Sequence, residues 1–238
     1  MITQKPRNAV VVSLQFPEVV LAKRGLVEDL GSANAVSLMR LLAEQVLRQS
    51  LPVDDSYRGY ILFTPKERTS EVQEWLRWTR GRAQLEWNEG QTHGERAAHA
   101  LRYALEDGCE KVVLLETYCL EIRRSLLDQV FAALDENDAI LGPAQNGGFY
   151  LIGLRSTIPP DLLTQLPWDS PNMCEAFCKE LDQRSLEFEM LPDAVVVDNA
   201  QDLERVPANI WNGLPTKTRE ALRLLGLSHL VADQTAFS

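Results

Sequence analysis

Leu141-Gly-Pro-Ala-Gln-Asn-Gly-Gly-Phe-Tyr-Leu-Ile-Gly-Leu154 is the stretch on which the reading of this 238-residue chain turns. An apolar run over 138–142 enters it, and a polar turn through Asn146, Gly147 and Gly148 follows. A second apolar run over 149–154 leaves it. Two adjacent glycines let a backbone approach something else with no side chain in between. A strand, a glycine turn and a second strand can form the floor of a small-molecule pocket. Asn-Gly is equally a hairpin signal. The stretch alone leaves pocket floor and ordinary hairpin both open.

Outward from it, short apolar runs alternate with helical periodicity. Strands are expected over 9–14, 59–64, 83–87, 111–115 and 139–141, continuous enough in apolar residues to be buried on both faces. Between them the 3.6-residue period predicts helices from Ser32, which is placed to cap the first, from Thr69 or Ser70 to Gly81, over 94–105 and over 123–134. A loop is expected between 14 and 32. After Leu154 the pattern predicts a short helix from Pro159-Pro160, a turn over 167–170 and a helix over 171–183. Strands are expected over 186–191 and 194–197, a helical turn over 201–206, and one or two amphipathic helices over 216–231 broken near Gly226. Alternating strands and helices mean an α/β sandwich with a largely parallel sheet. Right-handed crossovers then bring the strand C-termini to one edge, where ligands bind.

Composition narrows the class. The formal net charge of −10 argues against nucleic acid or an anionic membrane as the main partner. No apolar run approaches the ~20 residues of a membrane span. Residues 1–7 lack the apolar core of a signal peptide, so a cytoplasmic location is expected. Cys109, Cys119, Cys174 and Cys178 form no CxxC pair, and His93, His99 and His229 are not spaced as a zinc site. Buried structural thiols are the expected role for the cysteines. Lys23 and Arg24 sit together in an apolar loop and are candidates for a phosphate site.

Four islands then fall in order: Gly94-Glu95-Arg96, Gly142 to Leu154, Pro167-Trp168-Asp169-Ser170, and Val196-Val-Asp-Asn-Ala-Gln-Asp-Leu203. In that order they resemble the radical-SAM/selenodomain-associated transferase 1 family, bacterial glycosyltransferase-like proteins, over roughly residues 9–206. The resemblance implies a three-layer α/β/α sandwich of the GT-A, nucleotide-diphosphosugar transferase type. It also implies binding of a nucleotide or nucleotide sugar. The pattern along the chain gives one domain over 1–206 with a helical extension over 207–238 as the simplest partition, and in a non-catalytic member that extension is a candidate protein-partner surface.

Several positions depart from the family pattern. Gln15 stands where a lysine is expected, and Arg24-Gly25 replaces Thr-Arg after Lys23. The strand ending at Leu115 leads into Glu116-Thr117-Tyr118-Cys119-Leu120, where the family has Gly-x-Asp-x-Pro. Tyr118 therefore occupies the position of the metal carboxylate. Asn146 replaces the aspartate of an Asp-Gly-Gly turn. A phenol with pKa about 10 is a poor ligand for Mg²⁺ or Mn²⁺ at neutral pH. The expectation is an eroded metal and phosphate site with no tightly bound cofactor, taking Mg²⁺ or Mn²⁺ only alongside a nucleotide. Lys23 and Asp198 are the candidate catalytic residues. Gln15, Arg24, Glu116, Tyr118, Asn146, Gly147, Gly148, Phe149 and Trp168 are candidate ligand contacts, with Glu116 and Asp198 as weak metal candidates.

Four side chains in and beside this set have structural readings. Glu116 and Glu121 can be solvated loop charges, Trp168 can cover the core rather than stack on a sugar, and Asp202 suits a helix N-terminus. Three functions stay open: a glycosyltransferase with atypical metal dependence, a nucleotidyltransferase, and a non-catalytic binding module built on the same pocket.

Overall fold

The computed structural model describes residues 7–231. The expectation for residues 1–6 and the last part of the tail, 232–238, lies outside the described residues. Seven strands form one sheet in the order β3-β2-β1-β4-β6-β5-β7: β1 Asn8–Gln15, β2 Arg58–Thr64, β3 Gln84–Trp87, β4 Lys111–Leu115, β5 Ala139–Pro143, β6 Phe149–Arg155 and β7 Phe188–Met190. β6 runs antiparallel to both its neighbours, and the other pairings are parallel.

Alternation along β1 shows why the sheet has two covered faces. Val10, Val12 and Leu14 face one core, and Ala9 and Val11 face the other. The first core is closed by the helices α2 (Ser32–Ser50) and α5 (Arg124–Ala133). The second is closed by α4 (His93–Glu106) and α6 (Met173–Gln183). This is the three-layer α/β/α sandwich that the alternation predicts.

The differences from the sequence reading have local causes. The expected loop after β1 contains the helix α1 (Arg24–Leu30), a single short run whose period is too brief to stand out. α2 begins at Ser32, but Gly31 at φ +76° forms its N-cap and the Ser32 side chain caps nothing. α3 spans only Thr69–Trp75 and is entered from Arg68 without a side-chain cap. The Thr69 hydroxyl instead donates to the Lys66 carbonyl at 2.6 Å. The strand expected over 194–197 is reduced to one bridge, Ala144 to Ala194, although its side chains are buried. Helices α7 (Ala200–Arg205), α8 (Ala208–Asn212) and α9 (Thr216–Leu224) follow, and α8 has no counterpart in the sequence reading. Trp211, Leu222 and Leu230 enter the same core as β1.

The opening question about 141–154 has a double answer. β5 and β6 are hairpin partners, registered from Ala139 with Leu154 to Pro143 with Phe149. The loop joining them also lies at the ligand edge of the sheet.

Candidate functional site

A cleft opens where β1, β2 and β4 end and β6 begins. Its main cavity has a volume of about 240 Å³, lined among others by Lys23, His93, Arg96, Glu116, Gly148 and Trp168. A smaller polar cavity of about 80 Å³ adjoins it, reaching Gln15, Asn88, Thr117 and Tyr118. Ser13, His93, Arg96 and Glu116 line both.

Backbone chemistry builds the floor. Gly147 holds φ +92°, and a Cβ there would lie 2.0 Å from the Pro171 carbonyl oxygen. Only glycine accepts both the dihedral and the contact. Gly147 thus locks the hairpin loop against the entry to α6, and the Cys174 amide donates to the Gly147 carbonyl at 3.1 Å. The Gly148 amide donates to the Asn146 side-chain oxygen at 3.1 Å, which aims the Asn146 amide nitrogen at Asp198, 2.6 Å away. Gly148 lines the cavity.

The opposite lip is built from 23–25 and 198–202. Lys23 is the N-cap of α1, and its ammonium ion-pairs with the Asp198 carboxylate while lying 4.6 Å over the Tyr118 ring centroid. A Cβ on Gly25 would meet the Asn199 Cβ and the Asp198 carbonyl at 2.8 Å. The absence of a side chain at Gly25 therefore lets α1 press on 198–199, beside the Lys23–Asp198 pair. Asp202 takes the Asp198 and Asn199 amides at 2.9 and 3.2 Å and forms a capping box with Asn199, so its role is structural. Asp198 itself sits at the rim and is engaged on both oxygens.

The β4–α5 loop is packed, not open. Thr117, Tyr118, Cys119, Leu120 and Ile122 are all buried. Burial pushes the Tyr118 phenol well above its usual pKa range, against a small opposing pull from the neighbouring Thr117 side chain. Burial likewise pushes the Cys119 thiol up to about 12. Glu121 accepts the Val195 amide at 3.1 Å and stitches this loop to 194–197. Glu116 differs: solvent reaches it, yet the cleft walls surround it. Loss of hydration raises its carboxyl pKa, against the pull of Lys23, His93 and Arg96.

Lys23, Glu116, Asn146, Gly148, Phe149 and Trp168 line the main cavity, and Gln15 and Tyr118 line the smaller one. Trp168 also donates to the Leu163 carbonyl at 2.7 Å and packs on the second core, so it serves the core and the cleft together. Gly147 holds the floor from behind. Arg24 is not brought in: its side chain is exposed and pairs with Glu28 at 2.7 Å on α1. The helix turn that starts after Lys23 sends adjacent side chains in different directions.

The sequence reading left His93 and Arg96 off the site. The signal was present in Gly94-Glu95-Arg96. A Cβ on Gly94 would meet the Trp168 indole nitrogen at 2.9 Å, so the glycine lets α4 approach Trp168. Glu95 completes the capping box with Thr92, and Arg96 enters the cleft.

The donor set does not fit a divalent cation. Glu116 is the one acidic residue among the described residues lining the cleft, and both Asp198 oxygens are occupied by Lys23 and Asn146. The Tyr118 phenol is buried and protonated. Among the described residues no group of three or more His, Cys, Asp or Glu side chains is arranged to hold a metal ion.

Fold and cleft define the class: a GT-A-like sandwich with a pocket at the C-terminal edge of its parallel strands. The chain belongs to the family described as uncharacterized protein conserved in bacteria (DUF2064), which matches residues 48–170. Among solved structures it is similar to a provisionally named nucleotide-diphospho-sugar transferase from Desulfovibrio desulfuricans G20. That likeness has a TM-score of 0.81 and 24% identity, covering 96% of this chain and 100% of the other. A cytidylyltransferase from Leptospira borgpetersenii aligns with a TM-score of 0.56 and 11% identity, over 98% of this chain and 100% of its own. A mannosyltransferase from Pyrobaculum calidifontis, in complex with GDP-Man and Mn²⁺, aligns with a TM-score of 0.50 and 16% identity, over 96% and 70%. At such identities the likeness establishes the fold. No curated protein matches the sequence. Among the described residues no helix is long and apolar enough to cross a membrane.

Proposed function

We propose that the cleft binds a nucleotide or nucleotide sugar and that the chain is a GT-A-type glycosyltransferase-like protein. The finer kinship to the radical-SAM/selenodomain-associated transferases rests on the four islands of sequence. The observation that carries the proposal is the placement of Lys23 and Arg96 around the same cavity as the Asn146–Gly148 turn, at the sheet edge where such folds take ligands. The structural relatives named for nucleotidyl and glycosyl transfer support this reading through their shared fold.

In this reading Lys23 faces the phosphates and Asp198 positions Lys23. Gly148 and Phe149 form the floor, and Trp168 offers an indole face for a sugar or base. A non-catalytic binding module is the second reading. It is favoured by the β4–α5 loop, where the buried Tyr118 ring fills the place a metal carboxylate would need. Trp211, Leu214, Leu222, Leu227, Leu230 and Val231 are buried in the first core, while Leu224 is exposed, which supports an extension packed on the same domain.

A thermal-shift screen of nucleotides and nucleotide sugars, with and without Mn²⁺, tests the proposal. Binding raises Tm by mass action. The expected result is a shift with at least one nucleotide or nucleotide sugar. No shift across all bases, in either condition, would remove the nucleotide reading.

A further inference from the structure

We infer that the cleft grips a diphosphate with side-chain cations alone, Arg96 from one wall and Lys23 from the other, without a divalent metal. This rests on the nucleotide reading and specifies how that same site holds the ligand.

Arg96 carries the inference furthest. It lines both cavities and is half-buried, yet it makes no ion pair among the described residues. One guanidinium nitrogen, Nη1, donates to the Gln91 carbonyl at 3.0 Å and more weakly to the Gly90 carbonyl at 3.5 Å. The rest of the planar fork is left for something else. Loss of hydration works against the charged form of Arg96, and the nearby carboxylates Glu116, Glu95 and Asp169 offset it only in part, none closing an ion pair with it among the described residues. Its flat array of donors matches a phosphate geometrically. A diphosphate in the cavity would complete the partnership.

Lys23 supplies the second charge. Its ammonium has three N–H donors. The Asp198 carboxylate takes one, and the Tyr118 ring lies beneath the charge at 4.6 Å. Asn146 holds Asp198 from the other side at 2.6 Å. The ammonium is thus fixed in place with donors to spare. The pair is partly open to solvent, where such bridges contribute little, so a phosphate can share the ammonium at small cost.

The same contacts consume the oxygens that a cation would require. Asp198 is doubly engaged, and Tyr118 offers a protonated phenol in a packed loop. Glu116 stands alone as a free carboxylate among Lys23, His93 and Arg96. Such a surround repels Mn²⁺ and attracts an anion. Glu116 opposes that attraction and sets its limit.

The test uses inorganic pyrophosphate as the probe and titration calorimetry on the full chain, in EDTA and in MnCl₂. Pyrophosphate should bind in EDTA. Arg96→Gln and Lys23→Gln should each weaken it about tenfold or more, and Arg96→Lys should recover part of the loss. Lys179→Gln, which removes an exposed cation on α6, controls for net charge and should leave binding unchanged. If Arg96→Gln does not fold, Arg96→Lys and Lys23→Gln carry the measurement.

Binding that requires Mn²⁺, or binding unaffected by both charge deletions, overturns the inference. A nucleotide that binds only with Mn²⁺ would leave the nucleotide reading standing and remove the clamp. Failure of pyrophosphate and of every nucleotide in both conditions would remove both.

Discussion

Two loops border the cleft, and they are held in opposite ways. The hairpin loop between β5 and β6 keeps the backbone form of a ligand floor: Gly147 sits at φ +92° against Pro171, and Asn146 is oriented by the Gly148 amide. The loop after β4 is part of the core: Tyr118, Cys119, Leu120 and Ile122 are buried. One loop retains geometry that no side chain can imitate. The other is held by side-chain packing, with Glu116 as its charged residue in the cleft, where Lys23 and Arg96 come from other elements. A loop whose role is backbone shape tolerates side-chain change around it.

The comparison breaks most readily at Gly147. Gly147→Val must take a left-handed dihedral and collide with the Pro171 carbonyl. It should lose about 3 kcal/mol or more, or fail to accumulate as folded protein. Gly148→Ala, with ordinary dihedrals and a nearest contact of 3.4 Å to Asn146 Oδ1, should stay within about 1 kcal/mol of wild type. Denaturant unfolding of both variants checks this. Equal stability would show that the hairpin loop is not the rigid floor described.

A smaller effect is expected from the rebuilt loop. Wild-type protein should bind Mn²⁺ without nucleotide at about millimolar Kd or weaker. Tyr118→Asp should tighten Mn²⁺ binding by returning a carboxylate beside Glu116 and Asp198. It should also lower Tm, because it places a charge in a packed loop. Calorimetry with Mn²⁺ decides it. Tight stoichiometric binding by the wild type would contradict the comparison, and an unchanged variant would show that the loop has been altered beyond one residue.

The smallest effect concerns Glu116. Its carboxyl pKa is raised in the folded state, chiefly by lost hydration. Its stabilising contribution is therefore present below the ordinary carboxylate pKa of about 4.3 and is lost as pH rises through the folded value. Glu116→Gln should melt higher than wild type at pH 7–8, and the two curves should converge near pH 4. A variant that is less stable at pH 8 would mean that Glu116 is held by its cationic neighbours more strongly than burial opposes it.

Much of this was legible in the chain. Buried strands such as Lys111–Leu115 announce themselves as short apolar runs. The glycine turn, the helix over 94–105 and the ordered islands follow from local chemistry, and the α/β alternation fixes the sandwich. Other features depend on partners distant in sequence. Lys23 and Arg24 are adjacent and equally charged, and only the docking of α1 against 198–199 sends one into the cleft and the other to Glu28. Arg96 looked like part of a helix start until α4 was placed beside Trp168. The 194–197 run has strand composition, but it makes a single bridge and is held by Glu121 instead. Periodicity and backbone propensity act within a few residues, so the sequence by itself determined most of the strands and helices, their order and the glycine turn. Which charges meet across the cleft depends on contacts between segments far apart in the chain, as between Lys23 and Asp198, and only the tertiary structure decides those.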